Sequence, residues 1–348
     1  MLARRQLDHL LVADFDRRDD IAMLFSINLS RQLFQKGCSF MNSLPAFKTG
    51  QRRTEFGHVK PIEDLEIPFA IIEGSEGGPT LLITAGVHAS EFCSIEAAVR
   101  LMQTKAEQIK GTLVILPILN IEGFSKRSIY IMPQDGKNLN RMFPGNIEGT
   151  TGARLANWLM TSVYPQVDAY MDLHGGDLDE SLAPFTIFPA GCEKSKALAE
   201  AFGLPIAVAS SRPGNSVNGA RQVGIPSILP EIGGNGLWNE DTVGLMVAGI
   251  HRVMQHLGMI VDAPKPPKQE PMNVFTMWVP TAPVTGLWYA KKELSETVAK
   301  GDILGEIRNV FGEVLATVIS ENDGFILYRM SSLSVNQGEA LLGVGVAA

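Results

Sequence analysis

The chain has 348 residues, of which 45% are hydrophobic and 19% charged, a composition typical of a globular protein with a large core and room for two domains. Its formal net charge of -7 argues against nucleic acid or an anionic membrane surface as the main partner, so a small molecule is expected. Three cysteines without a CxxC spacing fit a reducing cytoplasm. The longest apolar runs fall well short of the ~20 residues that a transmembrane helix needs.

The first 40 residues mix arginine, aspartate and short apolar pieces without the order of a secretory signal. We expect residues 1–40 to be an N-terminal extension, either disordered or the result of a mis-assigned start, with Met41 as an alternative beginning. Residues 41–262 form the predicted main domain. Residues 263–273, rich in proline and charge, are the predicted linker to a β-rich C-terminal domain at residues 274–348.

Short apolar runs alternate with amphipathic helical stretches in the main domain, which predicts an α/β fold. The predicted strands are PTLLITAGV, GTLVILPILN, VDAYMDLHGG, PFTIFPAG and IPSILPEIGG. The predicted helices are SIEAAVRLMQTK, SKALAEAFGL and EDTVGLMVAGIHRVMQHLG. Because these strands are almost entirely apolar, we expect them in a sheet that is covered on both faces.

The C-terminal region carries short β-type runs that are separated by Gly, Asp and Asn turn signals, without a convincing helical pattern. These runs are TMWVPT, GLWYAKK, DILGEIRN, EVLATVIS, GFILYRM and ALLGVGV. They predict a small all-β domain.

Three predicted strands carry polar residues at their ends, in GVHASE, DLHGGD and PEIGG, where open α/β sheets build their sites. A zinc hydrolase needs three nitrogen or oxygen ligands and a separate carboxylate that takes a proton. His88, Glu91 and His174 are candidate ligands, and Glu231 is the candidate carboxylate. The alternative for His88 and Glu91 is that they are two solvated polar residues at the start of a helix. The alternative for Glu231 is a salt bridge with an arginine. Asp172 either orients a ligand imidazole or is an ordinary strand-end aspartate.

The segment MPQDGKNLNRMFPG concentrates polar residues between turn formers. An arginine can hold a carboxylate through a two-pronged contact, and an asparagine can help to orient it. Asn140 and Arg141 are therefore candidate substrate-binding residues, although the segment alone also fits an ordinary polar loop.

Four segments, taken in order, carry a resemblance to a known family: GVHASE, NLNRMFPG, DLHGG and PEIGG. From about Gly86 to Gly234 the chain resembles the succinylglutamate desuccinylase/aspartoacylase family of the zinc carboxypeptidase superfamily. The resemblance implies that residues 41–262 are a zinc-dependent catalytic domain with a mixed sheet flanked by helices, as in zinc carboxypeptidases.

The resemblance also implies roles for individual residues. One Zn²⁺ per chain would be bound by His88, Glu91 and His174. Glu231 would activate the attacking water, and the pair Asn140 and Arg141 would contact the carboxylate of an acyl amino acid. Arg127 is the candidate that polarises the scissile carbonyl, and Arg212 is a weaker candidate for a second cation on the substrate side.

The activity implied by the resemblance is hydrolysis of the amide bond of an N-acyl amino acid or a similar small carboxylate-bearing amide. Such an enzyme acts on a small N-acylated substrate in the cytoplasm and needs neither nucleic acid nor a membrane. A metallocarboxypeptidase acting on short peptides and a catalytically silent zinc-binding protein are the alternatives.

The C-terminal region resembles a small barrel-sandwich hybrid of the biotinyl/lipoyl type. The turn ENDGF, where such carriers present a modified lysine, has no lysine. We therefore expect no attached biotin or lipoate, and instead a structural, lid or oligomer-forming role, which leaves a homo-oligomer open. Tyr289 could reach over the active site from this region, with a packed strand aromatic as the alternative.

Overall fold

The computed structural model describes residues 40–41, 43–63, 65–266 and 271–347. The predicted N-terminal extension, residues 1–40, therefore lies outside the described residues except at its last position. None of the helices in the described ranges is long and apolar enough to cross a bilayer.

A 14-stranded mixed sheet is the framework of the described chain. The first strands along the chain are β1 Phe40–Met41, β2 Arg53–Ile62, β3 Leu65–Glu73, β4 Thr80–Ala85, β5 Thr112–Leu116, β6 Ile131–Met132, β7 Lys137–Asn138, β8 Ala169–Leu173, β9 Glu180–Leu182, β10 Phe185–Pro189, β11 Ile206–Ser210 and β12 Ser227–Glu231. All of them belong to the large sheet except β6 and β7, which pair with each other.

Four neighbouring strands in the large sheet, in the order β5, β4, β8 and β12, run parallel to one another. Every residue of β4, β5 and β8 is buried. Such continuous burial is typical of parallel strands that are covered on both faces. The five strands predicted for the main domain coincide with β4, β5, β8, β10 and β12, which confirms that part of the prediction.

Helices cover both faces of this sheet. The described chain has the helices α1 Phe92–Leu101, α2 Ile121–Lys126, α3 Thr151–Trp158, α4 Glu193–Phe202, α5 Ser216–Gln222 and α6 Glu240–His256. Leu81 of β4 belongs to one apolar core with Ala98 of α1 and Ile250 of α6. Its neighbour Leu82 belongs to a second core with Leu155 of α3. Because successive strand residues point to opposite faces, one strand contributes to both cores.

The C-terminal region continues the large sheet. Its strands are β13 Asn273–Trp278, β14 Gly286–Ala290, β15 Thr297–Val298, β16 Ile303–Arg308, β17 Val314–Ile319, β18 Gly324–Met330, β19 Ser334–Val335 and β20 Leu342–Ala347. Strand β13 pairs in parallel with β11, and β20, β18 and β15 follow it in the sheet. Strands β17, β16, β14 and β19 form a separate sheet of four.

An apolar core joins the two C-terminal sheets, with Trp288 and Leu304 from the smaller sheet and Ile326 and Leu342 from the larger one. The predicted all-β character is confirmed, since residues 271–347 contain no helix. The division of the chain into domains stays a prediction. The strands of the two predicted domains nevertheless pair directly through β11 and β13.

Candidate metal centre and active site

The predicted ligands and Glu231 meet at the carboxyl ends of three adjacent parallel strands, β4, β8 and β12. His88 follows β4, His174 follows β8, and Glu231 is the last residue of β12. Glu91 lies at the N-cap position of α1, one turn after His88. The parallel order of the strands therefore brings together residues that are up to 143 positions apart in the sequence, since Glu231 follows His88 by 231 − 88 = 143.

His88, Glu91 and His174 form a compact cluster whose ligand atoms lie within 4.8 Å of one another. The two carboxylate oxygens of Glu91 face different imidazoles: Oε1 is 2.6 Å from Nδ1 of His88, and Oε2 is 2.9 Å from Nδ1 of His174. The two rings meet edge to face with centroids 4.8 Å apart. All three side chains are buried. The cluster thus turns two imidazole nitrogens and a carboxylate toward one point.

The chemistry of this donor set fits zinc, because two imidazoles and one carboxylate are a common ligand set of catalytic zinc sites. Burial works against ionisation of Glu91, but the charges of His174 and His88 outweigh it and lower the pKa of Glu91 to about 2. The Gly175 amide also donates to Oε2 of Glu91 over 3.1 Å. The carboxylate is therefore held in the charged form that a metal ligand requires.

The second ring nitrogen of each imidazole, Nε2, also has a hydrogen-bonding partner. Nε2 of His174 lies 3.1 Å from Oδ2 of Asp172, and Nε2 of His88 lies 3.1 Å from Oδ1 of Asn138. Each imidazole would bind a metal through Nδ1, so that its Nε2–H would donate to these oxygens and fix the ring orientation. The expectation that Asp172 orients an imidazole agrees with this geometry. Asn138 has the matching position beside His88, which the sequence analysis did not identify.

Glu231 stands beside the cluster. The His174 amide donates to the Pro230 carbonyl over 3.0 Å, and the Ile232 amide donates to the His174 carbonyl over 3.2 Å, which fixes Glu231 next to His174. Desolvation raises the pKa of Glu231 well above its ordinary value, since the charge of His174 offsets only part of it. Within the described residues Glu231 forms no salt bridge with an arginine, although its charge acts on Arg141. A carboxyl group in this position is suited to exchange a proton with a neighbouring reactant.

Arg141 and Arg212 lie on two loops that contact each other. The Phe143 amide donates to the Gly214 carbonyl over 3.1 Å, and a Cβ on Gly214 would come within 2.8 Å of the Arg141 carbonyl oxygen. Desolvation and the charge of Arg212 lower the pKa of Arg141, while the carboxylate of Glu231 raises it. The charges of both arginines act on Tyr328, so the two cationic side chains lie near the same part of the site.

Asn140 is buried, and its Oδ1 accepts a hydrogen bond of 2.9 Å from the Ser216 amide. The predicted substrate-binding role of Asn140 stays a prediction, as does that of Arg141. The described contact gives the Asn140 side chain a structural task in addition to the predicted one.

Arg127 caps the C-terminus of α2 in the left-handed conformation, with φ 53°. Its side chain is exposed and forms no hydrogen bond or ion pair in the part of the chain that the structure describes. Its predicted role at the scissile carbonyl stays a prediction. Tyr130, three residues on, does contact the cluster of candidate ligands, because its ring lies edge to face with that of His88, with the ring centroids 5.3 Å apart.

Tyr130 connects the cluster to an acidic loop, residues 177–180, which contains Asp177, Asp179 and Glu180 and which sequence reasoning missed. Its backbone also has a positive φ, 56°, and its amide donates to Oδ2 of Asp177 over 3.0 Å. Desolvation raises the pKa of Asp177 to about 6, and the charge of Glu91 adds to the shift. Desolvation likewise raises the pKa of Glu180 to about 7, although a hydrogen bond with the Tyr130 side chain opposes it. A strained backbone beside carboxyls of raised pKa is typical of a functional site.

The C-terminal strand β18 holds this acidic loop in place. β9 pairs with β18 in antiparallel register, with Tyr328 opposite Leu182, and the Ser331 amide donates to the Asp179 carbonyl over 2.7 Å. Desolvation raises the pKa of Tyr328, and the charges of Glu180, Arg212, Arg141 and Glu231 act on it. Tyr328 is thus the C-terminal tyrosine that faces the candidate active site.

Tyr289, the tyrosine that the sequence suggested for this role, does not face the candidate active site. Its ring lies under the guanidinium of Arg308, with 5.0 Å from Cζ to the ring centroid, and the residue is 39% exposed. The alternative interpretation, a strand aromatic packed within the C-terminal region, agrees with this contact.

An α/β sheet whose strand ends carry a His–Glu–His cluster and a separate carboxyl group is the arrangement typical of metal-dependent hydrolases. The chain belongs to the succinylglutamate desuccinylase/aspartoacylase family, because the profile of that family's catalytic domain matches residues 77–257. The family predicted from the four sequence segments is therefore confirmed.

Individual relatives support the same assignment. An N-alpha-acetyl-L-2,4-diaminobutyric acid deacetylase of Halomonas elongata is 27% identical over an alignment of 292 residues that covers 79% of this chain and 84% of the relative. A succinylglutamate desuccinylase/aspartoacylase structure from Rhodobacter sphaeroides is 25% identical with a TM-score of 0.75, over 88% of this chain and 99% of that one.

A third comparison concerns the fold alone. The product-bound structure of the ectoine utilization protein EutE from Ruegeria pomeroyi is 24% identical with a TM-score of 0.76, again over 88% of this chain and 99% of that one. The similarity extends across both predicted domains, and the predicted fold class is confirmed.

Proposed function

We propose that the protein is a zinc-dependent deacylase that hydrolyses the amide bond of an N-acyl amino acid or a similar small carboxylate-bearing amide. The observation that carries the proposal is the position of Glu231 beside a buried His88–Glu91–His174 cluster but outside its ligand set. The deacetylase activity named for the Halomonas elongata relative supports an acylated amino acid as the substrate class. A cytoplasmic location and a homo-oligomer stay predictions.

Zinc, when bound by His88, Glu91 and His174, supplies a Lewis acid that acidifies water and polarises a carbonyl. Glu231 then takes a proton from the attacking water and delivers it to the nitrogen of the leaving amine. The water oxygen bonds to the acyl carbon first, and the carbon–nitrogen bond breaks once the nitrogen has received the proton, which yields a carboxylate and an amine. Glu231 must be a carboxylate to take the proton and an acid to return it, so the task requires a pKa near the working pH, and desolvation shifts the pKa of Glu231 upward from its ordinary value.

In this proposal the cationic side chains Arg141 and Arg212 bind the carboxylate of the substrate. Arg141 would bind it through two hydrogen bonds, with Arg212 adding positive charge and Asn140 orienting the loop. In this proposal Arg127 polarises the scissile carbonyl. Strand β18 and the acidic loop that it holds lie beside the cluster, which favours a compact substrate over a long peptide.

A substrate panel distinguishes this proposal from its alternatives. Purified protein reconstituted with Zn²⁺ would be assayed for amine release from N-acetyl and N-succinyl amino acids and from short peptides. We expect turnover of at least one N-acyl amino acid, loss of it after chelation and recovery on adding Zn²⁺. Cleavage of peptides alone would identify a carboxypeptidase, and zinc uptake without any turnover would identify a silent zinc-binding protein.

Arg141→Lys tests the assignment of the carboxylate partner. Lysine keeps the charge but loses the two-pronged contact, so KM should rise on the order of tenfold while kcat changes little. Steady-state kinetics on the best panel substrate measures both constants. Arg221→Lys is the matched control, since Arg221 donates to the Ala190 carbonyl and takes no part in the proposed site. An unchanged KM in Arg141→Lys would contradict the assignment.

A further inference from the structure

Asp172, the partner of His174, is fully buried and has hydrogen-bonding partners on both oxygens. Thr84 donates its hydroxyl to Oδ1 over 2.6 Å. Ser216 donates its hydroxyl to Oδ2, the same oxygen that faces Nε2 of His174. Thr84 and Ser216 are both fully buried as well. The orientation of His174 therefore depends on a carboxylate that two hydroxyl groups fix from either side.

Ser216 differs from Thr84 because it makes a second contact toward the substrate side. It is the first residue of α5, and its amide donates to Oδ1 of Asn140 over 2.9 Å. Gly214, in the loop just before Ser216, contacts the backbone of Arg141, the residue that follows Asn140. The fully buried Ser216 thus contacts Asp172 through its hydroxyl group and Asn140 through its backbone amide.

We propose that Ser216 is a positioning residue that couples the metal centre to the substrate loop, so that the position of Asn140 influences how tightly His174 binds the metal. The coupling rests on the proposed function, since it assumes that the cluster binds zinc and that the Asn140–Arg141 loop binds substrate. Coupling between two binding sites is reciprocal, so an ordered loop strengthens metal binding and a bound metal orders the loop.

The path for this coupling is direct. From Asn140 it runs through the backbone of Ser216 to its hydroxyl, then through Asp172 to the imidazole of His174. Every side chain on it is at most 5% exposed, so water does not compete for these hydrogen bonds. A serine that only satisfied Asp172 would give the same contact to the carboxylate, but the Asn140 side chain would then have no effect on the metal.

The test measures zinc affinity by competition with a chromophoric chelator, in the full chain and without substrate. The variants are Ser216→Ala, Asn140→Ala and their combination. The matched control is Thr84→Val, alone and combined with Asn140→Ala, because it removes the other hydroxyl group that donates to Asp172. Loss of a partner that orients a ligand weakens metal binding about 10–100-fold; because Ser216 acts one step further out, through Asp172, we expect a loss of about tenfold at most for Ser216→Ala. Asn140→Ala should weaken zinc binding several-fold in the parent and in Thr84→Val, but not in Ser216→Ala.

Two results would overturn the coupling: zinc affinity equal to that of the parent in Asn140→Ala, or an equal effect of Asn140→Ala with and without the Ser216 hydroxyl. If Ser216→Ala does not fold, the Co²⁺-loaded Asn140→Ala protein decides the matter. We expect its visible absorption bands to shift, and bands and zinc affinity both like those of the parent would exclude the coupling. A parent that takes up no zinc would instead refute the proposed function, and the coupling with it.

Discussion

Glu231→Gln is expected to lower kcat by about 10²–10⁴-fold, the range for loss of a general acid–base group, while zinc content stays near one per chain. Glutamine has nearly the same shape but cannot take up and release a proton. The side chain stands beside His174 without belonging to the cluster of three ligands, so the metal centre should persist. Steady-state kinetics on the best panel substrate and metal analysis of the same preparation measure the two quantities.

The matched control is Glu240→Gln. Glu240 is an exposed residue whose carboxylate pairs with Arg100, so the same chemical change occurs outside the proposed site. The control should retain the activity of the parent. If Glu231→Gln retained activity, Glu231 would lose its role as the base. A variant that lost both activity and zinc would indicate that Glu231 helps to hold the metal.

The positions of the candidate ligands His88 and His174 and of Glu231 could be predicted from the sequence, because each lies at or just past the end of an apolar strand. Parallel strands end at the same edge of a sheet, so a polar residue just past a buried run has a predictable location. His88, His174 and Glu231 all meet this condition, and the order of their segments made the family recognisable. The large-scale organisation followed from the same signals, since apolar runs and helical periodicity alternate along the main domain.

The surroundings of the site could not be predicted in this way, because they depend on contacts between distant loops. Asn138 faces His88 across 50 positions of sequence, and Ser216 meets Asp172 across 44. Neither residue carries a local signal that distinguishes it from an ordinary turn or helix start. Tyr328 reaches the site through the pairing of β9 with β18, a register that no local pattern specifies.

The strand β2 was missed for a different reason. Its ten residues, RTEFGHVKPI, include charged side chains, and only three consecutive positions in its middle are buried. A partly exposed strand of this kind lacks the apolar run that identified the central strands. Its antiparallel partner β3 was not predicted either, although eight of its nine residues are buried.

Glu91→Gln is expected to remove zinc as well as activity, in contrast to Glu231→Gln. The carboxylate of Glu91 faces the Nδ1 atoms of both histidines and accepts from the Gly175 amide. An amide in its place carries no charge, and its NH2 group would face an imidazole nitrogen or the Gly175 amide. Changes to partners of metal ligands already cost 10–100-fold in metal affinity, so loss of a ligand charge should weaken zinc binding on the order of 100-fold or more.

Metal content after gel filtration and amine release from the panel substrate would both fall in Glu91→Gln. Glu96→Gln is the matched control on the same helix, because Glu96 pairs with Arg100 and with no other residue in the described ranges. Full zinc content in Glu91→Gln would contradict the assignment of Glu91 as a ligand. The contrast between the two variants then separates the groups that hold the metal from the group that moves the proton, since only Glu231→Gln should combine full zinc content with lost turnover.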